Sequence, residues 1–147
     1  MPNSIREQIL QATVSRIAAS LAPLGAEVHR SPTVALTREQ APAVVVFPES
    51  DEVIDRPNDR VERELVIRVV ALARAVPPAA PETEADALLV AAHGALMEDP
   101  GLNGLAIAML EIDCEWEVED ADGTVAAIPA RYAIRYRTRA HDLTQRG

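Results

Sequence analysis

Residues 61–75 carry an apolar side chain at nearly every second position, with charged side chains at several of the positions between, and this period of two predicts one long β-strand. Fifteen extended residues reach roughly 50 Å, whereas a compact domain of this length is about 40 Å across. The strand therefore either bends at a bulge or carries one end beyond the domain body, where a neighbouring subunit can pair with it. Its apolar face holds Leu65, Ile67, Val69, Ala71 and Ala73, and its charged face holds Glu62, Glu64, Arg68 and Arg74.

A second alternating segment, Glu111 to Glu119, predicts another strand with its apolar side chains toward the core. Gly123 suits the left-handed position of a three-residue hairpin loop at 121–123. The return strand is then expected from Val125 to Arg139, which makes residues 111–139 a C-terminal hairpin. The inward residues are Ile112, Cys114, Trp116 and Val118. The expected cross-strand pairs are Trp116 with Ile128, Ile112 with Tyr132, and Asp113 with Arg131.

Two helices are expected before and between these strands. Residues 4–7, Ser-Ile-Arg-Glu, form a capping box, and apolar residues recur behind it at steps of three and four, so residues 4–22 are predicted to be helical. Residues 83–86, Thr-Glu-Ala-Asp, resemble a second capping box, which places the second helix at 84–97.

The remaining segments complete the fold prediction. Val44–Phe47 is typical of a short buried strand, and Pro48–Asp59 is typical of an acidic loop. The order of helix, strands, helix and strands then predicts a single α+β domain over residues 1–147. We expect an antiparallel or mixed sheet with both helices packed on one face.

Composition and charge exclude several classes of protein. The formal net charge of −9 argues against binding the outside of a nucleic acid or an anionic membrane. No apolar run is long enough to cross a bilayer, and the first residues lack the apolar core of a signal peptide. The lone cysteine, Cys114, rules out an internal disulfide and indicates a reducing compartment.

No residue constellation predicts catalysis. His29, His93 and His141 lie in separate segments and lack the spacing of metal ligands. The sequence contains neither a nucleophile elbow nor a phosphate-binding glycine loop. We therefore assign no catalytic, cofactor-binding or metal-binding residue, and we expect no enzymatic activity.

The acids of the second alternating strand and the arginines that follow it form the candidate assembly or channel-lining surface. Two interpretations of this surface stay open. It is either a solvated face that the arginines neutralise, or a negative surface presented to a protein partner or a channel. Neighbouring acids on one strand face lie about 7 Å apart and repel by on the order of 0.6 kcal/mol per pair in water. The residues are Glu111, Asp113, Glu115, Glu117, Glu119, Arg131, Arg135, Arg137 and Arg139.

Segments from nearly the whole chain, taken in order, carry a family resemblance. After the capped N-terminal helix they are Ala43–Val46, Leu65–Val69, Ala91–Met97 with Asp99–Pro100, Gly104–Ala106, Trp116–Glu117 with Asp120–Thr124, Tyr132–Thr138 and Asp142–Thr144. This ordered set resembles the tail terminator proteins of long-tailed bacteriophages and prophages, the group that includes the minor tail protein U of phage lambda.

The resemblance implies a structural virion protein that forms a six-fold ring, a homohexamer, on the head-proximal end of the tail tube. Such a ring stops tube polymerisation and provides the surface for head–tail joining. The implied partners are other copies of the chain, the major tail tube protein and the head–tail connector or neck protein. DNA passes through the ring without specific binding, which a negative lining favours. We expect the 61–75 strand and the C-terminal arginine segment to form the ring contacts.

Two other functions remain compatible with the sequence. The chain is alternatively another neck or tail-completion protein of the same virion, or a monomeric acidic module that binds a basic protein. A measured oligomeric mass separates the monomeric module from the two assembly proteins.

Overall fold

The computed structural model describes residues 2–31, 42–75, 78–115, 117–118 and 125–147. Within these ranges the chain forms two α-helices and seven strands. In chain order they are α1 (Ile5–Leu21), β1 (Glu27–Arg30), β2 (Ala43–Asp55), β3 (Arg60–Arg74), α2 (Pro81–Glu98), β4 (Ala108–Cys114), β5 (Glu117–Val118), β6 (Val125–Arg139) and β7 (Asp142–Arg146).

All of the strands join one sheet in the order β1-β2-β3-β6-β4. β1 runs parallel to β2, and the other pairs are antiparallel. Along its other edge, away from β3, β6 pairs with three strands one after another: β5 near its start, then β4, and β7 at its end. Both helices pack on one face of this sheet, α2 against β3 and β6, and α1 against α2 and β1. The prediction of an α+β fold with a mixed sheet is confirmed.

The long alternating segment is the central strand β3. It pairs with β6 over its whole length, from Arg60 opposite Arg139 to Arg74 opposite Val125, without a register shift. The bulges lie in β2 instead, where the pairing with β3 skips Glu49 and Ile54. β3 therefore neither bends at a bulge of its own nor projects alone, because β2 and β6 run beside it.

The core lies between the helices and the face of the sheet that they cover. Thr13, a polar side chain within this core, donates a hydrogen bond from its hydroxyl to the carbonyl of Ile9 at 2.8 Å and so stays satisfied. The largest fully buried side chains come from both helices and from β3 and β6: Tyr132, Tyr136, Ile9, Ile17, Leu21, Leu65, Ile67, Leu96, Ile128 and Ile134.

Helix α1 begins and ends as its sequence predicts. Ser4 is the N-cap, and its hydroxyl accepts a hydrogen bond from the Glu7 amide at 3.2 Å. Glu7 does not complete the capping box, because its carboxylate accepts two hydrogen bonds from Arg30 of β1. After a single 3₁₀ turn, Gly25 takes the left-handed conformation with φ of 69° and ends the helical segment.

The partly buried carboxylate of Asp51 connects α1 to the sheet. Asp51 of β2 accepts a hydrogen bond from the Tyr136 hydroxyl at 2.5 Å and pairs with Arg6 at 3.1 Å. Burial, followed by the contact with Asp51, raises the pKa of Tyr136 well above its ordinary value. The tyrosine thus stays protonated and remains the donor.

Three local predictions are wrong. Pro48–Asp59 is not a loop throughout, because β2 continues to Asp55 by placing its extra residues in bulges. Helix α2 begins at Pro81 rather than at residue 84, because a proline at the first helical position needs no hydrogen-bond partner for its nitrogen. Its N-cap residue, Ala80, makes no side-chain hydrogen bond, so the second capping box does not form.

The strand predicted over 111–119 also changes. The structure forms β4 from Ala108 to Cys114 and β5 at 117–118. Ile112 and Cys114, which were expected to face the core, are exposed. The reason is a bulge at Ile112, together with the position of β4 at the edge of the sheet. Trp116 and the 121–123 loop lie outside the described residues.

Candidate assembly surface

The face of the sheet opposite the helices carries a column of arginines along β6. Arg131, the first of them along the strand, forms two ion pairs, to Glu49 at 3.1 Å and to Asp113 at 3.0 Å. Hydrogen bonds to these two carboxylates raise the pKa of Arg131 above its ordinary value. The prediction that Asp113 lies opposite Arg131 is confirmed.

The next three arginines of β6 each have a carboxylate on the β3 side. The distances are 3.3 Å for Arg135–Glu64, 3.9 Å for Arg137–Glu62 and 3.0 Å for Arg139–Asp59. Pairs that are this exposed stabilise a fold by about 1 kcal/mol or less each. The arginines of the candidate surface are therefore already paired with carboxylates of the same chain.

The acids of β4 and β5 do not form one row. Glu111 lies opposite Tyr132 on the helix-covered side, where its carboxylate is 3.7 Å from Nε2 of His93. The bulge then changes the phase of the strand, so that Asp113 joins Arg131 on the open face. The prediction of five acids on a single face is therefore wrong for Glu111. Glu119 lies outside the described residues, as does the side chain of Glu117.

Cys114 is exposed near the end of β4. Partial burial, followed by the charges of Asp113, Asp86 and Glu111, raises the pKa of its thiol. A thiol with a raised pKa is a weak nucleophile at neutral pH because little thiolate is present.

The one histidine that contacts a buried polar side chain is His93 of α2, as far as the described residues go. Its Nδ1 lies 2.9 Å from the hydroxyl of Tyr132. Burial of Tyr132, with the nearby Glu111 charge, raises its pKa to about 12, so this hydroxyl remains protonated, and the tautomer of His93 sets which of the two groups donates. His29 lies in β1, and His141 lies in the turn between β6 and β7. In the described part of the chain no three His, Cys, Asp or Glu side chains are grouped to hold a metal ion.

Three exposed apolar residues lie on or beside β4, and the alternating sequence pattern of this segment did not predict them. Ile107, Leu110 and Ile112 are 51%, 56% and 43% exposed, although each is a large apolar residue. All three lie on or beside the strand that ends the sheet on this side. The alternation alone does not reveal them, because only the strand order shows that β4 has no strand beyond it among the described residues.

Neither helix in the described ranges combines the length and the apolarity needed to cross a bilayer.

No family model matches the chain, and no curated protein sequence does. Among solved structures, the chain is similar to one from the virion of a native gene transfer agent (GTA) particle. The TM-score is 0.44 and the sequence identity is 10%, with 90% of each chain covered. A likeness at this level assigns neither an activity nor a partner.

Proposed function

We propose that this chain is a structural protein of a phage-like virion, and that it acts as a tail terminator. In this role it forms a ring on the head-proximal end of the tail tube, stops tube polymerisation and provides the surface that joins the head. The ordered resemblance of its segments to tail terminators motivates the proposal. The structural observation that supports it best is the edge strand β4 with its three exposed apolar side chains.

An edge strand of this kind is unfavourable in a protein that remains alone. Its free backbone groups and apolar side chains invite association with another chain. Covering Ile107, Leu110 and Ile112 by a protein partner removes their apolar surface from water, which favours assembly by about 25 cal/mol for each Å² buried. We infer that contacts of this kind, rather than a chemical step, are the contribution of the chain.

The hydrogen bonds and ion pairs of the polar side chains support a structural role. The arginines of β6 pair with carboxylates, and His93 shares a hydrogen bond with Tyr132, which stays protonated. Within the described residues these groups stabilise strand and helix positions. The proposed partners are other copies of the chain, the tail tube protein and the head–tail connector, with DNA passing through the ring.

The experiment measures assembly directly. Light scattering coupled to size-exclusion chromatography gives the oligomeric mass of the purified chain, and the proposal expects about six times the protomer mass of 15.8 kDa. Electron microscopy then compares tail tube protein alone with tube protein plus the chain, and we expect shorter tubes that carry a ring at one end. A chain that stays monomeric at high concentration and leaves tube length unchanged contradicts the proposal and favours the monomeric binding module.

If the chain is instead another neck protein of the same virion, the same assay is expected to give a different result. Such a protein forms a ring but leaves tube growth unaffected, and it binds the connector instead. Adding connector and tube protein separately therefore distinguishes the two assembly roles.

A further inference from the structure

The charge of the chain is divided unevenly along its length. Residues 75–130 contain 12 of the 23 carboxylates and no arginine or lysine. The rest of the chain therefore carries 11 carboxylates against all 14 arginines. The acidic part includes α2 and β4, which are close enough for Asp86 of α2 to act on the thiol of Cys114. The described carboxylates Asp86, Glu111, Asp113 and Glu115 lie around Cys114, so this part of the β4 edge is acidic.

This asymmetry selects the way in which two copies associate. A two-fold contact places the same patch of both copies together, and at the β4 edge that contact opposes acid to acid. A head-to-tail contact places the acidic side of one copy against a less acidic side of the next, which is favourable and can close into a ring. Glu111, Asp113 and Glu115 are exposed at this edge and contribute to the choice.

The other end of the sheet offers a matching strand. β1, four residues long, pairs on one side with β2 and has no second strand partner within the described ranges. It carries Glu27 beside His29 and Arg30, and Arg30 is paired with Glu7 of α1, so this edge has little net charge and is less acidic than β4. On β4, the bulge at Ile112 limits a regular ladder to Ala108–Glu111, which is also four residues long.

We propose that β4 of one copy lies along β1 of the next copy, so that the sheet continues from subunit to subunit. This inference rests on the proposed ring and names its contact. Leu110 and Ile112 become covered there, and the carboxylates of β4 meet an edge with little net charge instead of a second acidic edge. β1 and β4 lie at opposite edges of one sheet, so each copy provides the two different surfaces that a closed head-to-tail ring requires.

Cys114 supplies a direct test, because it is the only cysteine of the chain and lies on β4. A second cysteine is introduced at Glu27 of β1, whose side chain is 77% exposed. Treatment of Glu27→Cys with a short bismaleimide is expected to give a covalent ladder that extends to the full ring. The wild-type chain, with Cys114 alone, is expected to remain a single protomer on a denaturing gel.

Val53→Cys is the matched control, since Val53 is also exposed but lies near the far end of β2. It is expected to give no ladder. A wild-type chain that cross-links to dimers through Cys114 shows a two-fold contact and overturns the inference. A ring that yields no ladder from Glu27→Cys also overturns it while leaving the proposed function standing. A chain that is monomeric throughout contradicts both.

Substitution provides an independent measurement. Leu110→Lys combined with Ile112→Lys places two charges on exposed positions, so folding is expected to be unchanged. The apparent association constant of the ring is expected to fall by about ten-fold or more. Val53→Lys with Ile54→Lys, at positions of similar exposure, is expected to leave the ring intact. Equal effects of the two double variants contradict the β4–β1 contact.

Discussion

Asp113 and Arg131 face each other across the β4–β6 pair, and their Oδ2 and Nη1 atoms are 3.0 Å apart. The same guanidinium reaches Glu49 in the β2 bulge through its Nε at 3.1 Å. One arginine therefore connects three strands on the open face of the sheet. Because β3 lies between β2 and β6, this cluster crosses above it.

Reversing the central charge should weaken the fold. Arg131→Glu removes both ion pairs and places three carboxylates together, so we expect a fall of a few degrees in Tm, measured by thermal denaturation at low salt. Asp113→Arg in that background should recover part of the loss. Adding Glu49→Arg should recover more, because it restores the second pair.

The control for this series is Arg135→Glu, which breaks a pair with only one acid, Glu64. It should lower Tm less than Arg131→Glu does. If neither Asp113→Arg nor Glu49→Arg improves Tm in the Arg131→Glu background, the register of β4 against β6 is incorrect.

The two capping predictions differ in outcome, and mutation should reproduce the difference. Ser4→Ala removes the hydroxyl that accepts the Glu7 amide, so the free energy of unfolding should fall by about 1 kcal/mol. Thr83→Ala should change it by about 0.5 kcal/mol or less, since Thr83 lies inside α2 as an exposed residue and caps nothing. Urea denaturation measures both. Equal losses would indicate that α2 begins at the threonine after all.

The hydroxyl of Tyr136 should stabilise the fold through Asp51. Tyr136→Phe removes one of the two donors of the partly buried Asp51 carboxylate, the hydroxyl at 2.5 Å, so we expect a loss of about 1.5–3 kcal/mol in the free energy of unfolding. A double-mutant cycle with Asp51→Asn isolates the pair, because Asp51→Asn also disturbs Arg6. A coupling energy near zero would show that the two side chains do not interact.

Glu7 should make stability depend on acid pH. Its hydrogen bonds to Arg30, the largest influence, lower its pKa below the ordinary 4.5. A carboxyl whose pKa is lower in the folded state stabilises the fold fully above its unfolded pKa, and that contribution disappears as the pH falls through the lowered value. The gap in Tm between wild type and Glu7→Gln should therefore be constant from pH 7 to about pH 5 and should close toward pH 2.

Glu84→Gln is the comparison for this pH series. Glu84 also lies in the first turn of a helix, so both variants lose a favourable interaction with the helix dipole. Only Glu7→Gln also loses an arginine pair. A gap for Glu7→Gln that does not narrow in acid would show that the Arg30 contact is absent in solution.

Much of the fold could be predicted because periodicity depends on local spacing. The bounds of β3 follow within one residue from alternating side chains that face a core on one side, and those of β6 at Val125 and Arg139 follow from the hairpin expected before it. Helix α1 follows from its apolar stripe and its cap. Each of these signals lies within or next to the segment that it describes.

The errors share one cause, which is that strand pairing is not local. The continuation of β2 through Pro48 depends on β3 and on bulges that no spacing rule reveals. The exposure of Ile112 and Cys114 depends on the edge position of β4 and on another bulge. The candidate surface was affected most, because one inserted residue transfers Glu111 to the opposite face from Asp113.

His93 tests whether the chain acts through contacts or through chemistry. His93→Ala leaves the buried hydroxyl of Tyr132 without its hydrogen-bond partner at 2.9 Å, so the free energy of unfolding should fall by about 1–3 kcal/mol. Adding Tyr132→Phe should recover part of this loss, because the unsatisfied hydroxyl is then absent. At a temperature where each variant remains folded, ring mass and tube capping should equal those of wild type.

His141→Ala is the matched histidine removal, at an exposed turn position where little change in stability is expected. If His93→Ala abolishes tube capping while its circular dichroism and ring mass stay normal, the histidine has a role beyond packing, and the proposal that the chain carries no chemistry is wrong. Loss of capping that follows loss of folding instead agrees with the structural role, because His93 supports Tyr132 and, through it, the strand that carries the arginine column.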